Sequence, residues 1–538
     1  MKRTVSLLLC VLLLCGAVLS GCGGKDILEG KQASASNDKY RNFYQIFVHS
    51  FADSDGDRVG DLQGIIDHLD YLNDGDPNSG EDLGIDGIWL TPIMPSSSYH
   101  KYDVENYYDI DPAFGSLETF DKLLDECHKR GIKLIIDLVL NHISVRNPLF
   151  TNACTEVIDG KLDGDAQLFE IHEKDYFTDL NKTIPIGDYA CEANFSPEMP
   201  EWNLSSEKTR AEFKKILEFW LGRGLDGFRL DALTYYTNKS TDGVEFLKWF
   251  VETARSINPD VYIVGENWTA DSNIKDFYAS GIDSQFAFKF SDASGTILEK
   301  IKTFKGNSLV SKVFAYQNKM AENNPDFINA MFLSNHDQMR IANALGSSGL
   351  DYEKFGASVY QLFPGNAFIY YGEEIGTRAP NNTGDANYRT AMDFDDENIN
   401  KIKLDAIGTM GEDYETPPHG GVAQQLKDKD SLLNFYRRII KVKLQNPEIS
   451  RGKITGVEDF GKDEIGAFYT EYNGEKLMII HNFAKEGKAE LEITDSMLKN
   501  AVLAADLVGA EGESVSFSGG KLSLPYHCSV VLRTGEVA

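Results

Sequence analysis

The chain has 538 residues, which is enough for a large core and two or three domains. Its hydrophobic content of 42% and charged content of 25% are ordinary for a soluble globular protein. The formal net charge of -30 argues against nucleic acid as a partner, because binding it needs basic patches, and it favours a neutral substrate.

The N-terminus is predicted to be a targeting segment. Lys2 and Arg3 precede an apolar run over residues 5–14, and Leu19-Ser20-Gly21-Cys22 follows. This tetrapeptide resembles a bacterial lipobox, the signal in which the chain is cut before the cysteine and the thiol is lipidated. A plain secretory signal or a short membrane helix is the alternative, although the run is short for a membrane span.

We therefore expect residues 1–21 to be a lipoprotein signal peptide and Cys22 to be the lipidation site. Residues 22–38 are rich in Gly, Ser, Ala and charge, which indicates a flexible tether. The lipid anchor would be the only contact with a membrane, because no other stretch of the sequence is long and apolar enough to span a bilayer. The expected location is extracytoplasmic, at the bacterial cell surface.

Strand-like runs that are nearly continuous in apolar residues recur along the chain, with helical stretches between them. They cover residues 43–48, 87–90, 133–137, 227–230, 261–264, 284–288, 330–333 and 367–370. Continuous apolar runs are typical of parallel strands that are buried on both faces. This rhythm predicts an α/β fold, a (β/α)8 TIM barrel.

The spacing of these runs predicts the domain boundaries. The barrel covers residues 39–142 and 200–450. Residues 143–199 contain no βα unit and are predicted to form a subdomain inserted after the third strand, while residues 381–425 are a long irregular stretch after the eighth strand. From residue 451 to the end, alternating apolar runs split by Gly and Asn turns predict a C-terminal antiparallel β-sandwich.

The cysteines that follow Cys22 do not have the spacing of a disulfide scaffold or a zinc site. Cys127 and Cys528 are expected to be buried as small apolar residues. A bridge between Cys154 and Cys191 is left open.

Four short motifs lie at the ends of strand-like runs: Asp137-Leu-Val-Leu-Asn-His142, Gly227-Phe-Arg-Leu-Asp231, Val264-Gly-Glu266-Asn-Trp and Phe332-Leu-Ser-Asn-His-Asp337. A barrel would turn the carboxyl groups of Asp231, Glu266 and Asp337 toward one rim. Retaining glycosidases need two carboxyl groups about 5 Å apart, and a third can bind sugar hydroxyls and raise the pKa of the acid. A single such acid could be a capping or salt-bridged residue, but the set of three favours catalysis.

These motifs resemble the signature regions of the alpha-amylase family of glycoside hydrolases, and Met199-Pro-Glu-Trp-Asn203 resembles a fifth region. The resemblance extends from about Tyr40 to the end of the chain. It implies a catalytic barrel, an inserted domain after strand three and a C-terminal β-sandwich. By motif position, it implies that Asp231 is the nucleophile, Glu266 the acid/base, and Asp337 a stabiliser of the distorted sugar.

The resemblance also implies substrate contacts around the scissile bond. Arg229 would hold the nucleophile ionised, and His142 and His336 would donate to hydroxyls of the sugar, although a structural role is equally open for the histidines. Tyr102 would stack on that sugar, with core packing as its alternative.

The segment after the nucleophile departs from the pattern of many alpha-amylases, which carry Lys-His there. Here it contains Tyr235 and Tyr236. We expect these two tyrosines to stack on sugars of the leaving side instead.

A loop after the first strand carries carboxylates at alternate positions. Asp53, Asp55, Asp57 and Asp61, with the carbonyl of Val59, offer the hard oxygen ligands that Ca²⁺ prefers. The loop resembles a calcium loop found in several members of the family, with an acidic surface turn as the alternative. The sequence predicts a structural calcium ion here and no organic cofactor.

The implied activity is that of an alpha-amylase: a monomer that cleaves internal α-1,4 bonds of starch, glycogen or maltooligosaccharides with retention. Tyr99 stands where exo-acting relatives carry an aspartate that closes the pocket, which favours an open cleft. The alternatives are an exo-acting α-glucosidase or oligo-1,6-glucosidase, and a cyclomaltodextrinase or transglycosylase. A non-catalytic glycan-binding lipoprotein is a remote alternative, because all three acids are retained.

Overall fold

The predicted strands form a closed parallel sheet in a computed structural model that describes residues 38–76, 79–238, 240–346, 348–380, 385–394 and 417–535. The barrel strands are Asn42–Ile46, Gly87–Leu90, Lys133–Leu138, Gly227–Leu230, Tyr262–Gly265, Ser284–Gln285, Ala330–Phe332 and Asn366–Tyr370. They pair side by side in chain order, and the eighth pairs with the first. A parallel bridge between Phe286 and Ala330 joins the sixth strand to the seventh. The sheet is therefore closed, and the predicted barrel is confirmed.

Alternate residues of the barrel strands pack on opposite faces of the sheet. Phe43, Trp89 and Tyr262 join a cluster that fills the inside of the barrel. Their chain neighbours, such as Tyr44 and Ile263, join the core between the strands and the surrounding helices. Because both faces are buried, the strands read as continuous apolar runs in the sequence.

Helices cover the outside of the barrel. They span Leu62–Asp67, Leu69–Leu72, Leu117–Lys129, Glu207–Gly222, Gly243–Ile257, Asp271–Tyr278, Thr296–Thr303, Gly306–Ala321, Ile341–Leu345, Leu350–Gln361, Val422–Gln425, Leu432–Gln445 and Pro447–Arg451. The helix Leu432–Gln445 begins at Ser431, whose Oγ accepts the N–H of Asn434 as an N-cap. Within the residues that the structure describes, no helix is both long enough and apolar enough to cross a membrane.

The chain leaves the barrel after the third strand and forms a small subdomain. It consists of the helix Pro148–Ile158 and an antiparallel sheet of Ile171–Glu173, Thr183–Ile186 and Tyr189–Glu192. An antiparallel bridge between His142 and Glu201 joins the departing and returning chain at the rim of the barrel. The insertion therefore stands beside the C-terminal ends of the strands.

The C-terminal domain consists of two antiparallel sheets. The larger sheet contains, in spatial order, Lys453–Glu458, Ile465–Tyr472, Glu475–Asn482, Cys528–Thr534 and Ala501–Val508. The smaller sheet contains Lys488–Glu492, Lys521–Pro525 and Ser516–Ser518. Ala467 and Met478 face the smaller sheet, whereas the adjacent Phe468 and Leu477 face the barrel. This two-residue period confirms the predicted sandwich.

Some predicted elements differ from the structure or lie outside it. The sixth strand, predicted over 284–288, ends at Gln285, because the chain turns into the 3-10 helix Phe288–Phe290. Residues 1–37, with the predicted signal peptide and Cys22, are outside the described residues, as are 381–384 and 395–416.

The cysteines in the described residues are free thiols. Cys127, Cys191 and Cys528 are buried, as expected for the first and last of these, and Cys154 is partly exposed. The bridge left open between Cys154 and Cys191 is not formed in the structure.

Candidate active site

The two-residue period of the strands brings charged side chains together at the C-terminal rim of the barrel. Ile135 and Val264 face the inside of the barrel. Asp137 and Glu266 follow each of them by two residues, so they continue the same inward-facing rows. The interior therefore changes from apolar to charged toward this rim, where catalytic groups of such barrels gather.

One buried guanidinium group holds three carboxylates at the rim. Nη1 of Arg229 lies 2.7 Å from Oδ1 of Asp137 and 2.6 Å from Oδ1 of Asp231. Nη2 of Arg229 lies 3.0 Å from Oε2 of Glu266. These charge-assisted contacts hold the carboxylates of the two predicted catalytic residues, Asp231 and Glu266, against the same guanidinium group. Asp137 was not predicted as a site residue, although its inward-facing register was a signal that could have found it.

A tight turn after the fourth strand links the two predicted catalytic acids. Ala232 has a φ of 55°, in the left-handed region that non-glycine residues rarely adopt. Its N–H donates to Oε2 of Glu266 at 2.9 Å, and the N–H of Leu233 donates to the backbone oxygen of Glu266 at 2.8 Å. The unusual backbone conformation at the turn therefore positions the acid that follows the fifth strand.

A second network surrounds Asp337, and Tyr102 joins it to the first by donating to Oδ2 of Asp137 at 3.0 Å. Nε2 of His336 lies 3.0 Å from Oδ2 of Asp337 and 2.6 Å from Oη of Tyr102. The side-chain amide of Gln45 donates to Nδ1 of His336 at 2.7 Å, so the ring proton is on Nε2 and faces the site. Burial lowers the pKa of His336 to about 3, which keeps the ring neutral.

Arg389 completes this network, and sequence reasoning did not find it. Its Nη2 lies 2.8 Å from Oδ1 of Asp337, its Nη1 donates to Oη of Tyr99 at 2.7 Å, and its Nε donates to the backbone oxygen of His336 at 3.0 Å. Arg389 comes from an irregular segment after the eighth strand, where no periodicity or motif marks it. The structure thus places a buried cation beside the third predicted acid.

The surroundings separate the pKa values of the carboxyl groups. Burial raises the pKa of Glu266 to about 7; Arg229 opposes this rise, and Asp231 and Asp337 add to it. Burial also raises the pKa of Asp337, but His336 and two arginines outweigh it, so this pKa lies below its usual value. Burial raises the pKa of Asp231 to about 6; the ion pair with Arg229 opposes this rise, and Asp137 and Asp337 add to it. A protonated acid beside ionised carboxylates is the arrangement that acid/base catalysis needs.

The other predicted substrate-binding residues differ in accessibility. His142 is buried at the rim, its ring lies 4.9 Å from that of Phe195, and its Nε2 has no hydrogen-bond partner among the described residues. Tyr235 is exposed. Tyr236 is fully buried and packs edge-on against Phe246 at 5.5 Å, so the expectation that it stacks on a sugar is wrong.

Exposed aromatic rings line the side of the rim that carries Glu266. Phe195, Tyr235 and Trp268 are 46%, 42% and 51% exposed, and they are the aromatic residues among the exposed large hydrophobic side chains of the described residues. The rings of Phe195 and Tyr235 lie 4.7 Å apart. Oγ1 of Thr234 donates to Oδ1 of Asn267 at 3.3 Å, which joins the loops that carry Tyr235 and Trp268. Tyr235 was predicted to stack on a sugar, whereas Phe195 and Trp268 were not predicted as substrate-binding residues.

The loop after the first strand brings together part of the predicted calcium ligands. Carboxylate oxygens of Asp53, Asp55 and Asp61 lie within 4.8 Å of one another. Such a group of hard oxygens fits Ca²⁺. Asp57 is outside this group, and its Oδ1 accepts the N–H of Val59 at 2.8 Å. No catalytic candidate lies in the loop.

Comparison with known proteins agrees with this geometry. Residues 45–452 match the family model described as the alpha-amylase catalytic domain, and residues 465–531 match the one described as the alpha-amylase SusG C-terminal domain. The chain belongs to the alpha-amylase family of glycoside hydrolases. Membership confirms the resemblance carried by the motifs, and together with the alpha-amylase relatives it identifies the protein as a glycoside hydrolase.

Relatives of this alpha-amylase family member cover most of its length. Alpha-amylase 3 of Dictyoglomus thermophilum is 37% identical over 446 residues, which is 82% of this chain and 85% of the relative. Alpha-amylase SusG of Bacteroides thetaiotaomicron is 26% identical in a 653-residue alignment that covers 92% of this chain and 91% of the relative. The solved structure of Eubacterium rectale Amy13B superimposes with a TM-score of 0.84 at 34% identity, over 94% of this chain and 97% of that one.

Proposed function

We propose that the protein cleaves internal α-1,4-glucosidic bonds of starch, glycogen or maltooligosaccharides by double displacement with retention. The observation that carries this proposal is the single guanidinium group of Arg229, which contacts both Asp231 and Glu266. Two carboxyl groups held close together are what a retaining glycosidase needs.

The chemistry divides between the two acids. Glu266 donates its proton to the glycosidic oxygen as the bond to the anomeric carbon breaks, and the carboxylate of Asp231 attacks that carbon to form a glycosyl ester. Water then loses a proton to Glu266 and attacks the same carbon, which releases the carboxylate of Asp231 and restores the original configuration. Asp337, held by Arg389 and His336, accepts hydrogen bonds from sugar hydroxyls.

The distribution of exposed aromatic rings supports a chain-like substrate. Glu266 protonates the leaving group, so the leaving sugars lie on its side of the cleft. Trp268 follows this acid by two residues, and its loop is joined by the Thr234–Asn267 hydrogen bond to the loop of Tyr235, whose ring lies 4.7 Å from that of Phe195. Aromatic faces offer sugars broad apolar contact without requiring a charge, which suits the neutral glucan expected for a chain of net charge -30.

We also propose a structural calcium ion and a lipid anchor. Asp53, Asp55 and Asp61 would hold the calcium ion, whose positive charge would neutralise their mutual repulsion. Lipidation at Cys22 would place a monomeric enzyme at the cell surface, where it would meet polymers outside the cell.

A time course on maltoheptaose, with products resolved by length, tests the proposed activity. We expect several short maltooligosaccharides to appear together from the start, all of them in the α configuration when released. The Asp231→Asn variant serves as the control, and it should lose turnover by several orders of magnitude while still binding glucan. Absence of any reducing-sugar release from maltoheptaose and soluble starch would contradict the proposal.

A second candidate, an exo-acting α-glucosidase, is favoured by one observation. Arg389 joins Asp337 to Tyr99 and so forms a bridge on the side of the cleft that carries Asp337. A closed wall there would admit only the end of a chain. Glucose accumulating alone in the same time course would support this candidate, whereas products longer than maltoheptaose would indicate transglycosylation.

A further inference from the structure

A small polar cavity lies at the end of the barrel opposite the catalytic carboxylates. It has a volume of about 10 Å³ and is lined by residues that include Arg41, Asn42, Asp86, Lys443 and Arg451. Asn42 is the first residue of the first strand, and Asp86 immediately precedes the second strand. The cavity is therefore at the N-terminal ends of the strands, where the last long helix of the barrel closes against the first strand.

Lys443 brings a positive charge into this cavity without a partner. It lies on the helix Leu432–Gln445, its residue is 1% exposed, and its Nζ has no hydrogen-bond partner among the described residues. Burial lowers its pKa to about 7, and the fields of Asp86 and Arg451 act on it in opposite directions. A buried ammonium group without a compensating charge is unfavourable, so its neighbours must supply the missing negative charge or it must lose its proton.

The neighbouring charges leave the cavity with an excess of one positive charge. Arg41 is 4% exposed and its Nε has no partner, although its Nη1 donates to the backbone oxygen of Tyr40 at 2.6 Å. The carboxylate of Asp86 accepts the N–H of Asn42 at 2.5 Å and is the one acid of the cavity lining.

The remaining charged and polar groups do not remove this excess. Asp38 forms an ion pair with Arg451 at 2.6 Å and also lies 3.5 Å from Nη1 of Arg41, so its one negative charge is shared by both arginines. The side-chain oxygen of Asn42 also has no partner, and exchange of its amide oxygen and nitrogen would turn an N–H donor toward the cavity. The three cations Lys443, Arg41 and Arg451 therefore face two carboxylates, those of Asp86 and Asp38.

We propose that this cavity binds a small monovalent anion of the halide class, held between Nζ of Lys443 and Nε of Arg41. The volume admits about one water-sized group, so a monatomic anion is closer to it in size than phosphate or sulfate. The bound anion would compensate the excess charge and would tie the helix Leu432–Gln445 to the first strand. Its role would be structural, because the cavity is at the opposite end of the barrel from Asp231 and Glu266.

Bromide is the probe for this site, because it can be located by anomalous scattering and resembles chloride. Crystals of the protein grown in sodium bromide should show an anomalous peak within contact of Nζ of Lys443 and Nε of Arg41. In solution, the midpoint of thermal unfolding should rise with the logarithm of bromide or chloride concentration, relative to sodium gluconate at equal ionic strength.

Two variants with the same net charge separate a specific site from a general salt effect. Lys443→Met should lose the halide-dependent rise and the anomalous peak, whether or not it is more stable than the parent protein. Lys441→Met changes a partly exposed lysine on the same helix and should keep both. Absence of the peak in the parent protein, or an equal halide-dependent rise in Lys443→Met, would overturn the proposal.

Discussion

At the scale of single residues, the site separates carboxyl groups that have the same chemistry by giving them different neighbours. Asp337 is stabilised as an anion by His336 and Arg389, which lower its pKa. Glu266 shares Arg229 with other carboxylates and is raised to a pKa of about 7, chiefly by burial. The residue types alone could not assign these states, because the pKa values depend on contacts between sequence-distant side chains.

The alkaline limb of the pH profile tests the state of Glu266. Because Glu266 must carry a proton to act as the acid, kcat/KM for maltooligosaccharides should fall as the pH rises through about 7. The measurement is kcat/KM against pH at constant ionic strength.

An activated substrate supplies the control for this prediction. With an aryl maltoside whose leaving group needs no protonation, the Glu266→Gln variant should keep most of the rate of the first step and should lose the alkaline limb. A maltooligosaccharide profile that stays flat well above pH 7 would show that the group titrating there is not Glu266.

At the scale of elements, periodicity predicted the parts of the fold that repeat and missed the parts that do not. The second and fourth barrel strands have the predicted bounds, Gly87–Leu90 and Gly227–Leu230, because glycine precedes each apolar run and a polar residue follows. The sixth strand was predicted to be longer than it is. The reason is that Phe288 still packs inside the barrel although the strand hydrogen bonds have already ended.

The same distinction applies to the candidate site. Asp231, Glu266 and Asp337 could be found because each follows a strand, and the barrel determines where strand ends meet. Arg389 and Phe195 could not, because both lie in irregular segments whose paths depend on tertiary packing. Tyr236 was assigned a substrate contact because sequence alone does not show which of two adjacent tyrosines faces solvent.

The acidic loop after the first strand offers a matched pair of variants. Oδ1 of Asp55 accepts the N–H of Asp57 at 3.0 Å, and Oδ1 of Asp57 accepts the N–H of Val59 at 2.8 Å. The two carboxylates thus have similar roles within the loop, but Asp55 belongs to the group that could hold a metal and Asp57 does not.

Calcium should therefore stabilise the two variants differently. In the parent protein and in Asp57→Asn, adding calcium after chelation should raise the midpoint of thermal unfolding. In Asp55→Asn this increase should be much smaller, because one charged ligand is lost. Differential scanning calorimetry at fixed ionic strength, with magnesium as the comparison ion, measures the effect. Equal increases in both variants, or none in the parent protein, would rule out this calcium site.

At the scale of the whole molecule, the C-terminal domain and the barrel share one apolar core. The larger C-terminal sheet buries one face against its partner sheet and the other against the barrel. Phe468 stacks on Phe363 of the barrel at 5.1 Å, and Oγ of Ser529 lies 2.8 Å from Oγ of Ser358. A contact of this kind couples the stability of the two domains, because separating them would expose the apolar face of each.

The protein should consequently unfold in one cooperative transition in which activity, secondary structure and aromatic signals are lost together. Phe468→Ala, at the contact between the domains, should lower the free energy of unfolding by about 3–5 kcal/mol for the whole chain. Val502→Ala, at a side chain of the same sheet that is 43% exposed, should change it by less than about 0.5 kcal/mol. Calorimetry combined with residual activity at each temperature measures this coupling. Two separated transitions, of which Phe468→Ala shifts only one, would show instead that the barrel is stable without the C-terminal domain.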